Sequence, residues 1–208
     1  MSRLRRQAGF TLVEVLVTIL IVAIGLLAGA ALQLISKKTS FDAVQRTSAA
    51  GLTREILERM RANPTALDSY LVDAVTEMSE PATDCEQVQC SPAQLAEYDR
   101  WVWREALLGN AETEGGTAAG GLSSPEGCIT AGAACGQFDI AIAWRGVTPL
   151  PEPGPGTPAG DPTLNNCGVG GSNTDFDNPR NPASDYEMRR IIVISTFISD
   201  PTDTCSPV

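Results

Sequence analysis

Histidine is absent, so six cysteines and one oddly placed carboxylate are the residues through which this chain could do chemistry. Cys85, Cys90, Cys128, Cys135, Cys167 and Cys205 all follow the chain's long apolar run, an even set that an oxidising compartment would pair into disulfides. Short local loops close most readily, which favours Cys85 with Cys90, Cys128 with Cys135 and Cys167 with Cys205. With no histidine and no C-x-x-C pair, a metal site is not expected. Asp175, Asp177 and Asn178 look like the start of a calcium loop, but Arg180 stands where such a loop needs glycine, so a solvated acidic turn is expected instead. There is no Gly-x-Ser-x-Gly, no phosphate-binding loop and no paired-carboxylate framework. The chain is therefore read as a non-enzyme without cofactors. The odd carboxylate is Glu14, the one charge between Phe10 and Ile35.

Burying a carboxylate at the middle of a membrane span costs on the order of 2.5 to 3.5 kcal/mol, and less near an end. Glu14 sits one turn into the run, so it either reaches the interface or pairs with a positive group on another chain. The run FTLVEVLVTILIVAIGLLAGAALQLI is 26 residues long, which meets the ~20 residues a membrane-crossing helix needs. Arg3, Arg5 and Arg6 precede it, and the next basic residues are Lys37 and Lys38, a bias that puts the N-terminus in the cytoplasm. The apolar core is too long for an ordinary cleaved signal peptide. Beyond it, Phe41, Val44, Ser48, Leu52, Ile56 and Met60 recur at steps of three and four, predicting that one helix continues to about Arg61, where Asn63 and Pro64 stop it. Gly25 and Gly29 form a G-x-x-x-G that lets helices approach closely.

The rest of the chain must supply a head. With 19 Gly and 14 Pro among 208 residues, it should be rich in loops. Ser91, Pro92 and Gln94 form a capping box that opens a helix, with Leu95, Tyr98, Val102 and Ala106 as its apolar stripe. Trp101 and Trp103 serve there as core and interface anchors. Residues 109–127 read as a Gly-rich loop, followed by a short strand at 128–131. Phe138, Ile140, Ile142 and Trp144 alternate with Asp139, Ala141, Ala143 and Arg145, the period of a half-buried strand, and Arg190 to Ile198 forms another. Pro, Gly, Asn and Asp dominate 146–189, a long excursion between the two. The fold class is thus α+β: a long N-terminal helix, half transmembrane and half amphipathic, packed on a small antiparallel sheet. With 15 basic against 25 acidic residues and three of the basic ones ahead of the apolar run, the head is acidic, which disfavours direct contact with nucleic acid.

Gly9-Phe10-Thr11-Leu12-Val13-Glu14, behind a short basic leader and ahead of a long apolar helix, resembles the N-terminal signal of type IV prepilins and pseudopilins. The resemblance implies cleavage by a prepilin peptidase between Gly9 and Phe10 and methylation of the new amine. It also implies pairing of Glu14 with the Phe10 amine of an adjacent subunit. Four segments follow: a leader over 1–9, a membrane and filament-core helix over 10–35, its amphipathic continuation over 36–62, and a disulfide-containing head over 63–208. The head resembles PilV-type minor pilins, also called pilus modification proteins, through Cys85-x4-Cys90, Leu95-Ala96-x-Tyr98-Asp99 with Trp103, and the Ile-rich strand after Arg189-Arg190. That resemblance implies a minor pilin that primes pilus assembly, held by a single pass in the inner membrane with a periplasmic head and then carried into the pilus. Its partners would be other minor pilins and the major pilin through the N-terminal helix, the prepilin peptidase and the assembly platform. A minor pseudopilin of a type II secretion system is the alternative.

Overall fold

A computed structural model describes residues 9–110, 113–115, 117–118, 120–151, 157, 161–169, 176 and 187–199. The leader residues 1–8, Asp175, Asp177, Asn178, Arg180 and Cys205 lie outside the described residues. Helix α1 spans Leu12–Ala62, and the chain divides into two compact units, Met1–Phe41 and Asp42–Val208.

In the first unit the side chains of α1 point outward without protein neighbours, Leu12, Leu16, Ile19, Leu20 and Leu27 among them. The hydroxyls that interrupt the apolar surface satisfy themselves: Thr18 donates to the Val15 carbonyl and Thr39 to that of Ile35. A helix that carries its backbone bonds internally and shows hydrocarbon all round is suited to lipid or to other helices.

In the second unit α1 buries Gln45, Ala49, Thr53, Ile56, Leu57 and Met60. Phe41, Val44 and Ser48, expected on this face, are exposed instead. The buried stripe runs through polar Gln45 and Thr53 because each has a hydrogen-bond partner. Ser123 donates its N–H to Gln45 Oε1 at 3.0 Å, and Thr53 donates to the Ala49 carbonyl at 2.8 Å. The helix stops at Ala62, and Asn63 turns its amide onto the Pro92 carbonyl at 2.7 Å. Short 3₁₀ turns at Pro64–Tyr70 and Val75–Glu77 lead toward α2, Pro92–Leu108.

The capping box at Ser91 and Gln94 is formed, and Gly109 ends α2 at φ 76°. A Cβ there would meet the Gly120 carbonyl, so both the left-handed turn and the close approach require glycine. The buried face of α2 carries Ala96, Asp99, Trp103 and Leu107, whereas Leu95 is exposed and Tyr98, Val102 and Ala106 are half-buried. The helix is rotated about one residue from the expected stripe. Trp103 decides the rotation: it is fully buried, and its indole N–H finds the Leu52 carbonyl at 3.1 Å. Trp101 lies half-buried against Tyr98, ring centroids 5.7 Å apart.

The sheet has order β3–β4–β5, all antiparallel: β3 is Glu126–Ala131, β4 Gln137–Arg145 and β5 Arg189–Phe197. Two two-residue strands, β1 at Thr113–Glu114 and β2 at Thr117–Ala118, form a small hairpin within the segment expected to be loop. Phe138, Ile140, Ile142 and Trp144 face the core with Ile56, Met60, Tyr70, Trp103 and Leu107. The other face of β4 is not open: Ala141 and Ala143 are buried too. β4 is therefore enclosed on both sides rather than half-buried, because the excursion returns to lay Cys167 beside Cys128 and Ala141.

Candidate functional site

Gly9 and Phe10 precede the first turn of α1, and Phe10 is 82% exposed. No heavy atom lies within 4 Å of where a Cβ on Gly9 would sit. Thr11 caps the helix: its Oγ1 accepts the Glu14 N–H at 3.2 Å, and its carbonyl accepts from Val15 at 3.3 Å. Thr11-x-x-Glu14 is thus a helix-start signal in its own right, and the acid in the first turn favours the positive end of the helix dipole. The Thr–Glu spacing carries this signal in the sequence. Among the described residues the Glu14 carboxylate has no ion-pair or hydrogen-bond partner. Gly25 and Gly29, one turn apart on α1, likewise have open space where a side chain would be.

Cys85 and Cys90 are joined, with Cα atoms 5.5 Å apart, as the short spacing leads one to expect. The other two expected pairings give way. Cys128 bonds Cys167 across 39 residues, so neither Cys128–Cys135 nor Cys167–Cys205 is formed, and Cys135 is disulfide-bonded elsewhere. The reason is geometric. The ladder fixes Cys128 opposite Ala141, while Cys135 lies beyond the end of β3 in the turn before β4. Joining them would mean unzipping β3 from β4. The entropy favouring the shorter loop amounts to about 1.5 kcal/mol, too little to compensate.

Two buried polar clusters hold the head, and sequence reasoning named neither. Asp99 accepts from Arg59 Nη1 at 2.9 Å and from the Tyr70 hydroxyl at 2.5 Å, tying the end of α1 and the first 3₁₀ turn to α2. Burial and then the Asp99 bond push the Tyr70 phenol well above its ordinary pKa. For Arg59, burial opposes the charge, but the bonds to Asp99 and Glu55 outweigh it and raise the pKa. Glu126, fully buried, accepts the N–H groups of Thr76 and Gly127, each at 3.0 Å, and the Thr76 hydroxyl. A groove of about 490 Å³ lies at the β3–β4 turn beside Leu67, Phe138 and Phe197, with Asp68 its one ionisable side chain among the described residues.

Taken together, the long N-terminal helix and the small antiparallel sheet form a type IV pilin-like α+β fold. A family model described as "Type IV pilin Tt1218" matches residues 31–101, and one described as "Prokaryotic N-terminal methylation motif" matches residues 4–30. The two matches support the type IV pilin superfamily and a pilin subunit's role, a structural rather than an enzymatic one. They fit a membrane-anchored subunit that is processed by a prepilin peptidase and assembled into a filament. No curated protein and no solved structure matches the chain.

Proposed function

We propose that this chain is a minor pilin of the PilV type, held in the inner membrane by residues 10–35 with its head in the periplasm, then packed into a type IV pilus. The observation that carries the pilin part of the reading is the junction at Gly9–Phe10, and the PilV-type part rests on the resemblance of the head. An exposed Gly–Phe bond lies inside the matched methylation motif, and one turn later a carboxylate with no partner among the described residues stands in an apolar stretch of α1. Cleavage after Gly9 creates an amine at Phe10. Glu14 of a neighbouring subunit, without an ion pair among the described residues, neutralises that amine when two helices lie side by side. Gly25 and Gly29 permit the close approach. Residues 36–62 continue the helix into the head, and residues 63–208 present the surface that other minor pilins and the assembly platform meet.

Mass spectrometry of the mature chain tests this directly. The expected N-terminus is a methylated Phe10; retention of residues 1–9 in cells with an active prepilin peptidase overturns the reading. Deleting the gene tests the choice of system: loss of twitching motility with intact protein secretion is expected, and the reverse would make the protein a minor pseudopilin.

A further inference from the structure

The bonds Cys85–Cys90 and Cys128–Cys167 use four of the six cysteines. Cys135 is disulfide-bonded as well, and the one sulfur left for it within the chain is that of Cys205. Cys135 sits in the β3–β4 turn, on the wall of the groove beside Leu67, Phe138 and Phe197. The end of β5 comes to the same place. Ile198, one residue past the strand, donates its N–H to the Gly136 carbonyl at 2.9 Å, and a Cβ on Gly136 would lie 2.8 Å from the Phe197 ring. Ser199, the last described residue, is itself part of the groove wall.

The chain therefore leaves β5 at the groove, and Cys205, six residues after Ser199, has its partner sulfur in the same wall. Six residues extend at most about 20 Å, so the segment has no slack to wander far before it returns. Its sequence suits a reversal: Asp200-Pro201-Thr202-Asp203 puts Asp and Pro at the first two positions of a type I turn. The groove also has something to cover. Phe197 is 55% exposed, the most exposed aromatic of the second unit among the described residues.

We propose that residues 200–205 fold back across this groove and are pinned there by a Cys135–Cys205 disulfide, which makes the groove the seat of the chain's own C-terminal segment. The bond forms by exchange with a donor disulfide: the two thiols lose two electrons and two protons, and the donor leaves as a dithiol. Pro201 is the apolar residue that covers Phe197, while like charge with Asp68 turns Asp200 and Asp203 toward solvent. The link spans β4, the long excursion and β5, yet little closure entropy remains to be lost. Once β4 and β5 are paired, only the short stretch after Ser199 has still to close.

Disulfide mapping of the full chain, purified in detergent without reductant, tests the link. Proteolysis and fragmentation are expected to give a peptide that joins Cys135 to Cys205. Cys205 found as a free thiol, or joined to a second chain, overturns the proposal. Hydroxyl-radical labelling of the same protein tests the cover. Phe197 is expected to react as weakly as the buried Phe138 rather than in proportion to its 55% exposure. Replacing both sulfurs, Cys135→Ser with Cys205→Ser, is expected to raise Phe197 labelling roughly tenfold, the ratio of 55% to the 5% of Phe138, while Phe138 and Trp103 stay unlabelled. If the double variant fails to fold, the disulfide map and the labelling of the unaltered chain decide the matter by themselves. Strong labelling of Phe197 in the unaltered chain, protection that survives loss of both sulfurs, or protection that disappears on dilution, as a cover by a second copy would, each overturns it. None of these outcomes bears on cleavage after Gly9, so the two readings fail separately.

Discussion

Asp99 shows how one side chain joins three segments distant in sequence. It is buried, and it is tolerated there because a guanidinium and a phenol both donate to it. The pH dependence follows from Tyr70. Its folded pKa is raised above the ordinary 10.0 because burial and the Asp99 bond both favour the neutral phenol. A raised pKa contributes stability that is fully present below the unfolded value and is lost as pH climbs past it. Urea denaturation of the full chain is therefore expected to show stability falling as pH rises above about 10. Tyr70→Phe should flatten that fall while costing about 1.5 to 3 kcal/mol at neutral pH, the worth of a hydrogen bond to a charged group. An unchanged slope in the variant would remove Tyr70 from the account.

At the scale of elements, periodicity located the helices well and oriented them poorly. α1 was legible from its apolar run and its Asn-Pro stop, and α2 from its capping box, because those signals lie within a few residues of one another. The faces were not. Counting apolar residues placed Phe41, Val44 and Leu95 inward, whereas the fold buries Thr53, bonded to Ala49 one turn back, and Gln45 and Asp99, whose partners come from Gly121, Ser123, Tyr70 and Arg59. Hydropathy alone cannot anticipate such partners, since they lie up to 78 residues away. Alternation identified β4 and a β-branched run identified β5, yet neither gave a hint that the excursion would seal the second face through Cys167. The corrected rotation of α2 makes a sharp contrast. Trp103→Ala is expected to cost about 3 to 5 kcal/mol, while Leu95→Ala should stay within about 0.5 kcal/mol. Denaturation of both variants checks this, and comparable losses would restore the original stripe.

For the molecule as a whole, the question is why a carboxylate persists near the start of a helix built for hydrocarbon. Two answers make different demands. Glu14 follows Thr11 at capping-box spacing and sits at the positive end of the helix, a local benefit of about 0.3 to 1 kcal/mol. That is smaller than the on-the-order-of 2.5 to 3.5 kcal/mol penalty a charge meets deep in the bilayer. Unless Glu14 stays at the interface, then, helix capping alone leaves the residue unfavourable and a positive partner on another subunit is needed. Thr11→Ala removes the cap and nothing else, so it is expected to weaken the first turn by about 1 kcal/mol and leave assembly intact. Glu14→Gln keeps the side chain's shape, eases insertion and, on the proposed pairing, removes the counter-charge of a neighbour's Phe10 amine. Separating sheared filaments from membranes measures the difference. The Gln variant should accumulate in membranes, trimmed after Gly9 yet depleted from filaments at least about tenfold, the equivalent of a 1.4 kcal/mol loss. Should Thr11→Ala deplete filaments as severely as Glu14→Gln, the helix start rather than the charge pair would be what assembly requires.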